Sequence, residues 1–297
     1  MNHSFLTVRD LLRYAVTRFN QAQLAFGQGN ANAYDEAAYL VLHTLHLPLD
    51  TLDPFLDARL LKDEISAVFD IIERRVTQRL PAAYLTHEAW LQGYHFYVDE
   101  RVIVPRSLIG ELLLKRLFPW INAPDELSAI LELCTGAGCL AIIAAYAFPY
   151  ADIDAIDLSK TALQVAQRNI DEYDLNERIT LFEGDLFKPL PSRQYDLIIT
   201  NPPYVNDELM RTLPAEYCHE PHIALSGGFD GMDIVRRIIG AAHKWLTQDG
   251  LLIIEIGNGR HHLEAAFGGL PLEWLPTNAG NDSVFLLHAA DLPHYKH

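Results

Sequence analysis

The strongest constraint on the fold is the alternation, from Ser128 onward, of short apolar segments with amphipathic segments. The apolar segments predict five strands and a final pair, over residues 129–133, 153–157, 179–182, 196–200, 251–256, 272–274 and 283–287. Helical spacing separates most of them, as over Leu140–Phe148. Such alternation predicts an α/β fold with a mostly parallel, doubly wound sheet. Ligands of these sheets bind beyond the carboxyl ends of the strands, so the chemistry is expected directly after strands.

The first ninety or so residues have a different pattern, because their apolar residues recur at helical spacing. Thr7 and Asp10 resemble a capping box at the start of one helix, and Asn32 is a suitable cap for a second. A third helix is predicted over residues 61–76. These stripes indicate a small helical bundle in which no residue carries obvious chemistry.

A β-hairpin is predicted next, because His95–Val98 and Arg101–Val104 alternate around Asp99 and Glu100. A helix from Leu108 to Phe118 should follow it. The resulting organisation is a helical domain, a hairpin linker and an α/β domain, with boundaries at residues 1–92, 93–106 and 107–297.

The charge of the chain limits its partners. It has 39 acidic and 23 basic residues and a net charge of -16. Nucleic-acid affinity comes largely from Lys and Arg, so we expect no stable nucleic-acid binding and a preference for basic partners. No apolar run has the length of a membrane span, and residues 1–4 have no signal-peptide core. We therefore expect a cytoplasmic location and no membrane partner.

The cysteines predict no metal site. Cys134, Cys139 and Cys218 are an odd, sparse set without zinc-like spacing, which is typical of free thiols in a reducing compartment. Residues 216–222 contain acidic and histidine side chains that could form a metal cluster. We favour a mobile loop that covers a substrate.

Three motifs follow the first three predicted strands and indicate an adenosine-containing ligand. Cys134–Cys139 is a glycine turn where the backbone can approach a ligand closely. Asp157 ends the second strand, where a carboxylate can bind both ribose hydroxyls. Gly184–Phe187 follows the third strand and can contact the adenine. Gly136, Gly138 and Ala141 also satisfy a dinucleotide fingerprint, so these motifs leave the cofactor open.

The tetrapeptide Asn201-Pro202-Pro203-Tyr204 after the fourth strand decides between the cofactors, because a nicotinamide enzyme has no use for it. An amide nitrogen is a poor nucleophile, since its lone pair is delocalised into the carbonyl group. The side-chain oxygen of Asn201 and the backbone carbonyl of Pro202 can accept its two N–H bonds and favour a pyramidal, more nucleophilic geometry. The prolines fix these acceptors in place, and Tyr204 can stack on the planar group. This motif indicates methyl transfer to an NH2 group by in-line displacement.

The sequence resembles the glutamine-specific protein methyltransferases that modify peptide-release factors and a ribosomal protein. The resemblance covers about the last two-thirds of the chain and rests on the tetrapeptide, the glycine turn and the segments 80–85, 104–107 and 224–231. The release-factor branch typically reads Pro-Arg-Pro-Asp-Thr-Glu after the hairpin. This chain reads Pro-Arg-Ser-Leu-Ile-Gly-Glu at residues 105–111, which is similar to the branch that methylates large-subunit ribosomal protein L-three. That branch usually has Pro where Leu108 stands, which is a mild departure.

The resemblance implies a seven-stranded class I (Rossmann-like) methyltransferase sheet that uses S-adenosyl-L-methionine, with a substrate-recognising helical domain. It places Cys134, Thr135, Gly136, Ala137 and Gly138 beside the methionine and ribose of the cofactor. It places Asp157 on the ribose, Asp185 and Leu186 on the adenine, and Arg106 and Glu111 near the pocket mouth. It implies that Asn201, Pro202, Pro203 and Tyr204 bind the target glutamine and that Asn201 also contacts the cofactor. A -16 enzyme suits a basic ribosomal protein.

Four other functions stay open at this point. A release factor is the nearest alternative substrate, and an adenine or guanine amino group in nucleic acid poses the same geometric problem. The second would require base flipping and a basic surface, which the acidic charge disfavours. A nicotinamide oxidoreductase leaves the tetrapeptide unexplained. A non-catalytic adenosine-binding module predicts cofactor binding without turnover.

Overall fold

A computed structural model describes residues 5–293 and divides them into two compact units. The first unit comprises the described residues up to Ala89 together with Leu213–His219, and the second comprises Trp90–Thr212 and the described residues from Glu220 onward. Residues 1–4, which carry no signal-peptide core in sequence, lie outside the described part. No helix within 5–293 is long and apolar enough to cross a bilayer.

The first unit is built from helices around one apolar core. Its α-helices are α1 (Val8–Gln21), α2 (Ala33–Thr44), α3 (Lys62–Gln78) and α4 (Ala82–Thr86), with short 3-10 turns at Asp53–Phe55 and Ala215–His219. The predicted caps are confirmed: Thr7 and Asp10 form a capping box on α1, and the Asn32 side chain accepts two N–H groups of α2. The predicted apolar stripes meet in the core, which includes Leu11, Phe19, Leu40, Val41, Val68 and Ile72.

A buried ion-pair network lies beside this core. Arg75 is 1% exposed and donates to Glu36 at 2.7 Å and to the Ala25 carbonyl at 3.0 Å. Glu216 is fully buried and accepts hydrogen bonds from the Ala25 amide and from Arg79. Residues 213–219 therefore belong to the helical unit through a carboxylate that sequence periodicity does not reveal.

The second unit contains the predicted sheet. A hairpin of β1 (Glu88–Leu91) and β2 (Tyr94–Tyr97) precedes seven strands, which are β3 (Ala129–Leu133), β4 (Asp152–Asp157), β5 (Ile179–Glu183), β6 (Tyr195–Thr200), β7 (Leu246–Glu255), β8 (Glu273–Trp274) and β9 (Val284–His288). Their order is β5-β4-β3-β6-β7-β9-β8. The first five strands pair in parallel, and β9 is antiparallel to both of its neighbours. The predicted seven-stranded α/β sheet is confirmed.

Helices occupy most of the connections between these strands. They are α5 (Ile109–Leu114), α6 (Cys139–Ala147), α7 (Lys160–Glu172), α8 (Asp207–Met210), α9 (His222–Leu225), α10 (Asp233–Ala242) and α11 (Arg260–Phe267), with 3-10 turns at Pro124–Glu126 and Ala289–Asp291. Ser159 caps α7 as expected, since its hydroxyl accepts the Ala162 amide. The core between the sheet and its helices includes Leu131, Ile198, Ile238, Leu252, Ile254 and Phe285.

Two local predictions were wrong. The hairpin turns at Gln92 and Gly93, whose φ values of 53° and 82° match a two-residue type I′ turn, and residues 101–104 form no strand. Asp99 instead makes a local turn, because its carbonyl accepts the Val102 amide and its carboxylate accepts the Arg101 amide. Helix α5 ends at Leu114 rather than Phe118, since the chain turns through positive φ at Arg116 and Leu117.

We predict that Arg75→Ala lowers the free energy of unfolding by about 3–5 kcal/mol, because it leaves the buried Glu36 without its guanidinium partner. Arg74→Ala, at the exposed neighbouring position, should change it by less than about 0.5 kcal/mol. Urea unfolding followed by circular dichroism measures both values. Equal small effects of the two substitutions would show that the buried network does not stabilise the unit.

Candidate active site

The register of three neighbouring strands determines which residues meet at the carboxyl edge of the sheet. Leu133 at the end of β3 lies opposite Ile156 on β4 and opposite Thr200 on β6. The next residues, Cys134, Asp157 and Asn201, therefore emerge side by side. The strand order reverses direction between β3 and β6, and a crevice at such a switch point is where doubly wound sheets bind ligands.

A cavity of about 370 Å³ opens at this edge. Seven of the predicted site residues line it, namely Cys134, Gly136, Asp157, Asp185, Leu186, Asn201 and Pro203. Its remaining walls include Arg101–Ile103 and the segment from Pro221 to Ser226. The three motifs that indicated one adenosine-shaped ligand thus face one cavity.

A second, smaller cavity of about 50 Å³ is lined by the predicted residues Thr135 and Ala137. It shares Ile103, Cys134, Gly136 and Asn201 with the larger one, so the two spaces meet beside Asn201. Arg106 also lines the smaller cavity. Glu111 lines neither of the two, because it is buried and accepts the Asn278 amide at 2.8 Å.

The glycine turn brings Gly136, but not the equally predicted Gly138, to the lining of the two cavities. The Gly136 amide donates to the Asp157 carboxylate at 2.8 Å, and a Cβ atom added at Gly136 would meet nothing within 4 Å. Gly136 also has a φ of 56°, in the left-handed region that favours glycine. A Cβ atom at Gly138 would lie 3.3 Å from that of Ala166, so this glycine allows close packing of helix α7. Gly136 therefore faces the ligand space, whereas Gly138 supports the turn from behind.

Glu132 holds this turn from below and was not singled out from the sequence. It lies in the middle of an entirely buried strand, and its carboxylate accepts the Thr135 hydroxyl at 2.5 Å and the Ala141 amide at 2.9 Å. Burial raises the pKa of Glu132 to about 8. The two donors come from opposite sides of the turn and bind the same carboxylate. They therefore fix the conformation of the turn in the absence of a ligand.

Each carboxylate oxygen of Asp157 accepts one backbone amide. The Gly136 amide donates to Oδ2 and the Ser159 amide donates to Oδ1, both at 2.8 Å. Burial raises the pKa of Asp157, and these amides partly oppose the effect. Each carboxylate oxygen retains capacity to accept a further hydrogen bond, so a pair of ligand hydroxyls can bind there.

Asp185 and Leu186 line the same cavity. Asp185 accepts hydrogen bonds from Lys188 at 2.7 Å and from Arg237 at 2.6 Å, and these two donors lower its pKa. Leu186 is 9% exposed and presents an apolar wall. Arg237 itself lines the cavity, a contact between distant segments that the sequence did not indicate.

Asn201 has an unusual environment for an amide side chain. Its Oδ1 atom is buried and has no hydrogen-bond partner within the part of the chain that the structure describes. A buried acceptor without a donor is costly, so such an atom requires an explanation such as a missing ligand. Asn201 lines both cavities, so the residue that carries this acceptor lies beside their junction.

The rest of the tetrapeptide is held by close backbone packing. Pro202 is buried and, like Tyr204, lines neither cavity. A Cβ atom added at Gly257 would lie 2.6 Å from the Tyr204 ring, and one at Gly227 would lie 2.7 Å from the Tyr204 Cα. Glycines at both positions therefore let the tetrapeptide settle against the segments around residues 227 and 257.

Two buried carboxylates attach residues 104–108 to distant segments. Glu220 accepts two hydrogen bonds from Arg106, at 2.6 and 2.8 Å, and one from the Val104 amide. Glu255 accepts the Ser107 hydroxyl at 2.6 Å and the Leu108 amide, and burial raises its pKa to about 7. Glu255 therefore has a structural role. Neither partner is adjacent in sequence, which explains why their pairing was missed.

The residues that the structure describes do not meet the requirements of a metal site. Among residues 5–293, no group of three His, Cys, Asp or Glu side chains could hold an ion. The carboxylates of residues 216 and 220 bind arginines and amides instead of a metal. Cys134, Cys139 and Cys218 are free thiols, as predicted.

These features describe a site suited to group transfer between two bound molecules. The larger cavity offers a carboxylate and an apolar wall to one ligand, and the orphaned Asn201 acceptor lies where a second, N–H-bearing group can approach. Residues 104–108 are fixed by buried ion pairs and hydrogen bonds, so the walls are preorganised.

Comparison with known proteins adds independent information. A family model described as Methyltransferase small domain matches residues 110–216. The chain is 65% identical to a Burkholderia pseudomallei protein named ribosomal protein uL3 glutamine methyltransferase, over 97% of this chain and 96% of that protein. Proteins of the same name from Bordetella pertussis and Neisseria gonorrhoeae are 59% and 55% identical, over 95% of this chain and 94% of each relative.

We predict that Asp157→Ala weakens the binding of S-adenosyl-L-methionine at least about 10-fold, because two charge-assisted hydrogen bonds to hydroxyls are lost. Glu183→Ala is the matched control, since Glu183 is the exposed carboxylate opposite Asp157 on β5. Isothermal titration calorimetry on both variants measures the dissociation constants. Unchanged affinity in Asp157→Ala would exclude this carboxylate as a ligand of the cofactor.

Proposed function

This chain belongs to the ribosomal protein uL3 glutamine methyltransferase family, and we propose that it methylates the side-chain amide nitrogen of a glutamine in uL3 of the large ribosomal subunit. Membership of this family confirms the resemblance that the sequence carries. The relatives are named for this substrate and align with nearly the full length of the chain. The observation that carries the chemistry is the buried, unpartnered Oδ1 atom of Asn201.

S-Adenosyl-L-methionine is the methyl donor that the family implies, and the cavities suit its parts. The larger space provides the Asp157 carboxylate for the ribose hydroxyls and Leu186 for the adenine face. The smaller space adjoins the glycine turn beside Thr135 and Ala137, and we assign the methionine end of the cofactor to the junction of the two spaces. When bound, this cofactor supplies a methyl group on a positively charged sulfur, which leaves as a neutral thioether.

The protein's part in the reaction is to orient the glutamine amide. We assign one N–H of that amide to Asn201 Oδ1 and the other to the Pro202 carbonyl. Two acceptors draw the hydrogens to one side and turn the nitrogen lone pair toward the methyl group. The N–C bond forms as the C–S bond breaks, and the proton released from nitrogen passes to water.

The two units divide the remaining work in this proposal. We assign substrate recognition to the helical unit and catalysis to the second unit, whose division after Ala89 lies three residues before the predicted boundary at residue 92. The net charge of -16 favours a basic polypeptide over nucleic acid, because like charges repel. We accordingly place the reaction in the cytoplasm, where ribosomal proteins are made, and expect no stable nucleic-acid complex.

The first test is methyl transfer from labelled S-adenosyl-L-methionine. Purified uL3, a peptide-release factor, ribosomal RNA and DNA are offered separately, and peptide mass spectrometry locates the label. We expect label on a glutamine of uL3 alone. Label on the release factor would retain the chemistry and change the substrate, whereas label on nucleic acid alone would refute the protein-substrate proposal.

Asn201→Ala separates binding from catalysis. We expect kcat for uL3 to fall on the order of 100-fold or more, because one preorganised acceptor of the reacting amide is removed. Affinity for S-adenosyl-L-methionine, measured by calorimetry, should change less than about 3-fold. Asn176→Ala, at an exposed asparagine that lines neither cavity, is the control. Loss of cofactor affinity with retained kcat in Asn201→Ala would overturn the assigned role.

A further inference from the structure

Phe229 is the most exposed large hydrophobic side chain among residues 5–293, with 87% of its surface accessible. The core does not use this side chain, and exposed aromatic residues are often the ones that bind partners.

The turn that presents Phe229 is rigid. The Gly231 amide donates to the Gly228 carbonyl at 3.2 Å, and both glycines have φ values above 80°. Asp230 accepts the Met232 amide and a two-pronged ion pair from Arg236, which lowers its pKa to about 2. A side chain on a fixed turn loses little backbone entropy when it binds, which is the property of a preorganised anchor.

This turn is packed against the tetrapeptide of the active site. The Gly227 amide donates to the Val205 carbonyl at 2.8 Å, and the Asp207 amide donates to the Gly228 carbonyl at 3.1 Å. A Cβ atom at Gly227 would lie 2.8 Å from the Pro203 carbonyl oxygen. Phe229 is therefore two residues from backbone that touches the proposed glutamine site, and it points to solvent.

The neighbouring helix α8 extends this surface with apolar and acidic groups. Leu209 is 51% exposed, and Asp207 and Glu208 are exposed carboxylates in its first turn. We call these four residues, Phe229, Leu209, Asp207 and Glu208, the Phe229 surface. An aromatic anchor beside two carboxylates is complementary to a polypeptide that carries basic and apolar side chains.

We propose that the Phe229 surface binds the polypeptide segment that flanks the target glutamine and thereby contributes to substrate selection. This inference rests on the proposed function, because it takes the occupant to be the basic protein substrate. Phe229 acts as a positioning residue: it holds the segment while Asn201 holds the reacting amide. Neither the cofactor cavity nor its lining includes Phe229.

The test compares Phe229→Ala with Tyr150→Ala in steady-state methylation of uL3. Tyr150 is 73% exposed and precedes β4 at the opposite edge of the sheet, so it matches Phe229 in exposure but not in place. We expect KM for uL3 to rise about 10-fold in Phe229→Ala, with kcat and cofactor affinity within about 2-fold of the parent protein. Tyr150→Ala should leave all three unchanged.

The acidic part of the surface is tested with Asp207→Asn/Glu208→Gln, against Asp171→Asn/Glu172→Gln at the exposed end of α7. Asp207→Asn/Glu208→Gln should raise KM for uL3 at low salt. It should also make KM depend less on ionic strength, because the attraction that salt screens is removed with the two carboxylates. The second pair should do neither.

The outcomes separate the two proposals. If the unmodified protein methylates uL3 and Phe229→Ala keeps the same KM, the docking surface is wrong while the proposed function stands. If the unmodified protein does not methylate uL3, the proposed function fails before the variants are compared. A fall in kcat or cofactor affinity without a change in KM would also overturn the docking role, since it would indicate damage to the site itself.

Discussion

The hydrogen-bonded register of β3 with its two neighbours is the constraint from which the site follows. A shift of one residue in β3 against β6 would turn every side chain of the strand to the other face and separate Cys134 from Asn201. All five residues of β3 are buried, so a slip would place each side chain against neighbours of the wrong size and would move the buried Glu132 away from its donors. Glu132 adds to this specificity, because its carboxylate finds its two donors only when the turn after β3 folds back correctly.

The same edge of the sheet concentrates groups that are unfavourable in the absence of ligand. Burial raises the pKa of Glu132, Asp157 and Glu255, and the Asn201 acceptor has no partner among the described residues. Each is retained because the surrounding strands and glycine contacts leave it no alternative conformation. The three carboxylates have donors within the protein, so among these four groups only the Asn201 acceptor is left for a ligand to complete.

Local patterns in the sequence gave accurate predictions where the determinant was itself local. The Thr7 and Asn32 caps, the strands of the sheet and the motif after each strand depend on neighbouring residues or on burial, and all are present. The hairpin was misplaced because alternation at residues 95–104 outweighed the stronger turn signal of Gln92 and Gly93. Arg237 on Asp185, Glu220 on Arg106 and Glu255 on Ser107 could not be predicted, because each joins segments more than 50 residues apart.

These long-range carboxylates also change the interpretation of residues 213–222. The sequence suggested a mobile loop over a substrate, yet its acidic residues are anchors: Glu216 is fully buried in the helical unit, and Glu220 is buried against Arg106 in the second unit. Three residues, 217–219, separate these two carboxylates in the sequence. Because Pro221–Ser226 then forms a wall of the larger cavity, the position of Glu220 determines that wall. A buried carboxylate with three donors is a more exact way to set a cavity wall than an exposed loop, since any displacement leaves a charge unpaired in the interior.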